Sequence, residues 1–488
     1  MSSINRQSVR EEAERLKAQF ATLSANKKMD TEVAMLFHSL LMLVNLLIAI
    51  FLEKTTKKDN KNSSKPSSQT DKDESALGKE KTNGKGKPED EATVNNTRTV
   101  ETTTEIPVTY CDICGEDLSF VACEHIERRT KIDIVFEKVV LHVEAQVKVC
   151  PSCDATVKGQ FPSDMPGTLQ YGNGLKAYVI NLIIGQMVSL NRVQKLVQSM
   201  IGEMLSQTTF LKFIVRLCEA LETWEKAAVE QILQSPAMNV DETSLRVDKK
   251  NQWIHVYSAG DITLKFLHRK RGIEAIEDIN IIPHYSGTII HDCWSSYLSY
   301  DHCTHGLCGS HLVRELTCAV DSNDYRFAAN MKELLLETCK IVSKSKRKKL
   351  STKAYANLQK RYRNILTRGE NELPTIPPKP NGQRGKMAKS DAHNLWERLR
   401  EYESAVLLFA KNSDVSFTNN RAERDLRMAK VKQKVSGCFR TELYAKAYCR
   451  ISSYLQTMAN KGHNPLIAIQ MALAGKLIWR GVQLLILL

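Results

Sequence analysis

The alternation of apolar and polar positions changes character several times along the 488 residues. From Val33 to Leu52 the chain is apolar except at His38, Ser39 and Asn45. At about 20 residues this run is long enough to span a bilayer. Leu36, Leu43 and Ile50 recur at seven-residue spacing, as do Val33, Leu40 and Leu47. That is an a/d seam, which favours an oligomerisation helix over a membrane span. The next stretch, EKTTKKDNKNSSKPSSQTDKDESALGKEKTNGKGKPED, is nearly devoid of apolar residues. It cannot bury enough surface to offset its ordering entropy, and predicts a disordered linker over 53–105. Leu141, Val143, Ala145, Val147 and Val149 alternate with His142, Glu144, Gln146 and Lys148, the period of a strand. Apolar residues then fall at helical spacing over about 168–235, as in LKAYVINLIIGQMV and TTFLKFIVRLCEALETW.

From Met238 the pattern turns to strands. One opens at Asn239-Val240-Asp241. WIHVYSA and ITLKFLH flank Gly260-Asp261 and predict a hairpin. RGIEAIEDI predicts a short helix and SGTIIHDCW another strand. Helical spacing returns over 324–408, broken by LPTIPPKPNG, and a last helical stretch begins near Asn420.

Charge adds a partner. Lys and Arg number 69 against 55 Asp and Glu, a formal net charge of +14, which suits a polyanion such as nucleic acid or an acidic membrane surface. The opening residues show no secretory pattern, and most of the 13 cysteines are scattered. A reducing cytoplasm is expected.

The ordered cysteines are Cys111-Asp-Ile-Cys114 and Cys150-Pro-Ser-Cys153. Each C-x-x-C knuckle offers two thiolates from one tight turn, so the pair predicts a structural zinc ion that leaves no open coordination position. The unit around them is too small for a core of its own, and the metal would supply folding energy. Farther on, helical patterns at Asn191–Met200 and Gln207–Arg216 flank Ile201-Gly202-Glu-Met. That order suits a helix-turn-helix, as it suits any antiparallel helix pair.

Asp241, Asp292 and Glu423 are candidate metal carboxylates. A strand, hairpin, helix, strand order allows the strands bearing Asp241 and Asp292 to lie side by side, with a later helix bringing Glu423 over their ends. Converging carboxylates repel unless cations neutralise them, and hard divalent ions prefer oxygen ligands. Composition does not select these three. Glu242, Glu315 and Asp425 stand as rivals. Around Glu423 lie Asn419, Asn420, Arg421, Arg424, Arg427, Lys430, Lys432, Lys434 and Arg440, candidates for phosphate contact or for an ordinary solvated face. Cys308-x-x-His311 shows only two ligands and reads first as a core pair. Trp294 reads first as packing.

The sequence resembles the insertion sequence 66 family of transposases, the TnpC-type catalytic subunit of the DDE superfamily. NSSKPS, the two C-x-x-C knuckles, VDETSLRV followed by WIHVYS, HDCWSSY, LCGSHLVREL and FTNNRAERDLRMAKVKQKVSGCFRT carry the likeness. The resemblance implies a multidomain α+β chain with an RNase H-like α/β catalytic core and Asp241, Asp292 and Glu423 as its triad. It implies two Mg2+ or Mn2+ ions per active site beside the structural Zn2+. DNA at element ends and at the target is the implied partner, with Asn420, Arg421, Arg424, Arg427, Lys430, Lys432 and Lys434 as DNA-binding residues. The expected divisions are a helical oligomerisation segment at 1–52, the linker at 53–105, a zinc ribbon-like unit at 106–163 and a helical DNA-binding unit at 164–236. The core follows at 237–323 and 409–460, with a helical insertion at 324–408 and a helical tail at 461–488. A homo-oligomer, accessory transposition proteins and a bacterial cytoplasmic, nucleoid-associated location follow from the same likeness. The alternative is a catalytically inactive DNA-binding relic or regulator.

Overall fold

The computed structural model describes residues 102–134, 137–376, 389–479 and 482–485, with Arg15, Ala18, Gln19 and Leu40 alone before them. The expectations for 1–52 and for the linker at 53–105 therefore fall outside the described residues. So does most of the proline-rich stretch after Leu373. Among the described residues no helix is long and apolar enough to cross a membrane. These residues form two compact units, one within Glu222–Thr457 and one within Gly86–Leu221 and Met458–Leu488.

Among the described residues of the second unit, the cysteine-bearing stretch holds two short antiparallel strands, β1 (Val147–Val149) and β2 (Thr156–Lys158). The alternating run from Leu141 becomes a strand only over its last residues. Ile113 and Phe120 are 96% and 98% exposed, so this stretch packs no core of its own. Helices α1 (Asn173–Ile180), α2 (Leu190–Ile201) and α3 (Gln207–Ala220) follow, with one π-helical turn at Asn181–Gly185 after α1. Gly202 ends α2 at φ 73°, a left-handed cap that glycine adopts without a Cβ penalty. Ser206 accepts the Thr209 N–H at 3.1 Å and starts α3.

The first unit opens with α4 (Glu222–Leu233) and continues through β3 (Ala237–Val247), β4 (Lys250–Ala259), β5 (Ile262–His268), α5 (Ile273–Ile279), β6 (Thr288–His291), α6 (Ser295–Leu298) and β7 (Thr304–Leu307). The strands form one mixed sheet in the order β5-β4-β3-β6-β7. β3, β4 and β5 are an antiparallel meander. β6 lies parallel to β3, and β7 parallel to β6. The hairpin at Gly260-Asp261 forms where the sequence places it.

Helices α7 (Gly309–Asn323), α8 (Arg326–Lys344), α9 (Thr352–Glu370), α10 (Asp391–Glu401), α11 (Glu403–Val406) and α12 (Leu408–Lys411) fill the span between β7 and α13 (Asn420–Ser436). Leu316, Phe327, Met331, Leu335, Tyr362, Trp396 and Leu399 form their core, which runs into Ile290 and Leu307 of the sheet. Burying these apolar faces against each other and the sheet holds these helices in place; each buried large side chain contributes roughly 1.5–3 kcal/mol. After α13 come α14 (Glu442–Asn460) and α15 (Pro465–Leu473), then the paired strands β8 (Lys476–Trp479) and β9 (Val482–Leu485). α13 packs on β3 and β4, α4 on β4 and β5, and α15 on α1 and α3.

Candidate active site

Asp241 sits midway along β3, the central strand of the sheet. The parallel register pairs Asn239 with Ile290, and two further places along it Asp241 is level with Asp292. β6 has ended by then, at His291, so Asp292 leaves the sheet just where its neighbour needs it. Adjacent strands lie about 4.8 Å apart, which puts the two carboxyls in each other's field. A tight bend fixes Asp292. Cys293 takes φ 72°, left-handed backbone that is uncommon for a non-glycine residue. The Cys293 N–H donates to His291 Nδ1 at 3.1 Å, and the Trp294 N–H donates to Asp292 Oδ1 at 3.1 Å.

Glu423 arrives from the first turn of α13. Asn419, which precedes that helix and is 1% exposed, holds it to the sheet. Asn419 Nδ2 donates to the Val240 carbonyl at 2.8 Å, Asn239 Nδ2 donates to Asn419 Oδ1 at 2.9 Å, and the Asn419 N–H donates to Cys308 Sγ at 3.1 Å. Asn419 thus ties the strand bearing Asp241 to the helix bearing Glu423 through its side-chain amide, and to the start of α7 through its backbone N–H. Gly309 completes the junction. Its N–H donates to the Phe417 carbonyl at 2.8 Å, and a Cβ there would collide with the Phe417 ring.

The charges of Asp292 and Glu423 both reach Asp241, although among the described residues the three carboxyls do not form one set within 4.8 Å. Burial, then the negative charges of Glu242, Asp292 and Glu423, hold the Asp241 carboxyl well above the usual carboxylate range. Asp292 is raised by burial, with Arg271 opposing. Such a cluster is costly as bare anions and is relieved by protons or by cations.

The rival acids have other partners. Glu242, with 1% of its side chain exposed, pairs with Arg271 and accepts the Tyr297 hydroxyl at 2.7 Å. Arg271 in turn lies 5.0 Å from the Trp253 ring and 4.4 Å from the Trp294 ring, so Trp294 acts here as packing for a cation. Glu315 pairs with Arg398, whose charge also reaches Asp292. Asp425 Oδ2 accepts the Ser258 and Thr263 hydroxyls, each at 2.8 Å, on the buried face of α13.

The polar and basic residues on and just after α13 differ in exposure. Arg421 Nη2 donates to the Ile262 carbonyl at 3.0 Å and Lys430 Nζ to the Ser244 carbonyl at 2.7 Å, so both brace the sheet. Lys432 is partly buried, and its ammonium is lowered by desolvation. Asn420, Arg424, Arg427, Lys434 and Arg440 are exposed.

Each cysteine knuckle forms a turn, with the Gly115 N–H on the Cys111 carbonyl and the Asp154 N–H on the Cys150 carbonyl, both at 2.9 Å. Hydrogen bonds within its own knuckle lower each leading thiol, Cys111 and Cys150. The four knuckle thiols are not brought within ligand distance as one set. Among the described residues, the set whose ligand atoms do lie within 4.8 Å of one another is Cys308, His311 and Glu423. Burial pushes the His311 imidazole down to about 4.

A family model described as Transposase IS66 family matches residues 168–447, more than half of the chain. The chain belongs to this family. It is a transposase of the DDE kind, DNA is its partner, and the family uses divalent metal. The match spans the sheet, the insertion and the start of α14, so all three carboxylates of this IS66 transposase fall inside it. A comparison with curated proteins finds no match.

The sequence alone singled out the three carboxylates and left Asn419 among the flanking polar residues. It gave no sign of the Arg271–Glu242–Tyr297 network, whose members are joined only by the sheet. His311 was visible as part of C-x-x-H, but Glu423, which it faces, lies 112 residues later.

Proposed function

We propose that this transposase cleaves DNA at the ends of its element and transfers the freed strand to target DNA, using Asp241, Asp292 and Glu423 as metal ligands. The single observation that carries the reading is the parallel register of β3 and β6, which sets Asp241 level with Asp292, with the charge of Glu423 also reaching Asp241. The strand order, an antiparallel meander followed by two parallel strands, supports the RNase H-like reading of the core. Desolvated oxygen ligands fit hard divalent ions such as Mg2+ or Mn2+. Bound there, two such ions would supply the positive charge that activates a water or sugar hydroxyl and neutralises the leaving oxygen of a phosphodiester.

The chain's own residues do the rest. Asn419 and Gly309 fix the approach of α13, so Glu423 is held against the sheet before substrate arrives. Arg271 neutralises Glu242 and leaves the neighbouring aspartates free for ions. Arg424, Arg427 and Lys434 extend along exposed α13 and suit phosphate contacts, which position DNA without reading its sequence. α2 and α3 are the candidate helix-turn-helix. The knuckle cysteines Cys111, Cys114, Cys150 and Cys153 are the candidate zinc ligands. Oligomerisation, accessory proteins and a cytoplasmic location belong to the same proposal.

The test is nicking of labelled element-end DNA with Mg2+, beside a binding assay at fixed salt. Asp241→Asn, Asp292→Asn and Glu423→Gln should each lower cleavage by orders of magnitude, because ligands of one metal site act as a unit. DNA binding, which depends on cationic contacts, should persist. Glu315→Gln should cleave nearly as the parent does. A parent protein that binds ends and never cuts, with either ion and any partner subunits supplied, would establish the relic or regulator instead.

A further inference from the structure

The start of α7 and the start of α13 meet, and three side chains with metal-binding atoms converge there. Cys308 is the residue before α7 and His311 lies in its first turn. A spacing of three puts them on one face of a helix. Glu423 lies in the first turn of α13. The ligand atoms of all three fall within 4.8 Å of one another. His311 Nδ1 and Glu423 Oε1 face each other at 3.6 Å. Both atoms are buried, and neither has a hydrogen-bond partner.

That spacing is too long for a good hydrogen bond and suits a shared cation. Two ligand atoms about 2.1 Å from one ion at a tetrahedral angle stand about 3.4 Å apart. A buried polar atom left unsatisfied costs roughly 1–3 kcal/mol, and here two such atoms point at the same place. The third ligand is prepared as well. Cys308 Sγ accepts the Asn419 N–H at 3.1 Å and lies 3.0 Å from Ser310 Oγ. Burial raises this thiol above its ordinary range and the hydrogen bonds from Ser310 and Asn419 only partly oppose it, so the thiolate form calls for a cation beside it.

We infer that Cys308, His311 and Glu423 form a mixed sulfur, nitrogen and oxygen site for a first-row transition-metal dication, so that the metal position of Glu423 is chemically unlike that of Asp241 and Asp292. Mg2+ takes oxygen ligands almost exclusively, whereas imidazole and thiolate together favour softer ions such as Co2+ and Zn2+. Asp241 and Asp292 offer oxygen alone and suit the harder ion. The inference rests on Glu423 being a metal carboxylate, as proposed above, and adds the identity of its companions.

The experiment is a titration of the metal-free full-length protein with Co2+, followed by its thiolate-to-cobalt absorption. Whatever the knuckle cysteines bind is common to all variants, so the reading is the difference from the parent. Cys308→Ser should remove one increment of that absorption. His311→Ala should weaken the same increment's Co2+ affinity by more than about tenfold, the lower end of what even an outer partner of a ligand contributes. Asp241→Asn should leave the increment in place. Far-UV circular dichroism checks each fold, and His311→Ala carries the test alone if Cys308→Ser does not fold. A titration of either folded variant that superimposes on the parent overturns the mixed site. Loss of Mg2+-dependent cleavage in Asp241→Asn would still uphold the carboxylate reading in that case, so the two failures are distinguishable.

Discussion

Asp425 lies two residues beyond Glu423, and the structure gives it an opposite task. It is 3% exposed. Its Oδ2 accepts the hydroxyls of Ser258 and Thr263, and its charge acts on Lys265, itself 3% exposed. Burial pushes the Lys265 ammonium below the ordinary lysine range, and Asp425 is the chief group opposing that. Asp425→Asn keeps the shape and removes the charge, leaving a buried ammonium without its main counterion. The two groups are not in salt-bridge contact, so the loss should be smaller than that of a broken buried pair, about 1–3 kcal/mol.

The cost should depend on pH, with a sign fixed by linkage. In the variant the folded-state lysine pKa falls further below the unfolded value of about 10.4. Between those values the unfolded state holds more protons than the folded state, so stability rises with pH. The deficit against the parent is therefore full below the variant's folded-state lysine pKa and vanishes above the parent's. It shrinks by up to about 1.4 kcal/mol per pH unit across the window between the two proteins' lysine pKa values. Urea unfolding at pH 7 and pH 9.5 measures it, with Lys265→Met added to Asp425→Asn as the rescue. An equal deficit at both pH values, unrelieved by Lys265→Met, would refute the pairing and return Asp425 to the list of candidate metal ligands.

Asp241→Asn should act the other way on stability. It removes a carboxyl that burial and three neighbouring acids hold well above its usual range, so the midpoint of urea unfolding in EDTA should rise by the equivalent of about 1–2 kcal/mol. A lower midpoint in EDTA would mean that Asp241 stabilises the fold. Adding Mg2+ should favour the parent over this variant, since an ion bound to the native state alone stabilises it. For the knuckles, metal analysis of Cys150→Ser with Cys153→Ser should show about one zinc per chain lost, with 106–163 becoming more open to protease. Unchanged zinc content would exclude these ligands.

Local pattern by itself determined a good deal. The period-two runs around Gly260-Asp261 specified the β4–β5 hairpin, because alternation and a two-residue turn are encoded within a few residues. Helical spacing located α1 to α4 and most of the insertion. The blocks around Asp241, Asp292 and Glu423 were recognisable as linear motifs, each being a short piece of one element. The alternating run from Leu141 misled over most of its length, since period two makes a strand only when a neighbouring strand pairs with it, and here only Val147–Val149 finds one.

Which partners each acid meets was decided by tertiary structure alone. Asp241 and Glu242 are adjacent in the chain, yet strand pleating sends successive side chains to opposite faces. Glu242 reaches Arg271 and Tyr297, while Asp241 faces Asp292 and Glu423. Glu423 and Asp425 likewise leave α13 in different directions, one toward His311 and the other into the core beside Lys265. Arg421 and Lys430 read as phosphate binders in sequence, but the packing of α13 on β3 and β4 gives them strand carbonyls instead. A charge's partner is set by distance in space, and neighbours in the fold such as His311 and Glu423, or Asn419 and Val240, leave no trace in the spacing of a single sequence.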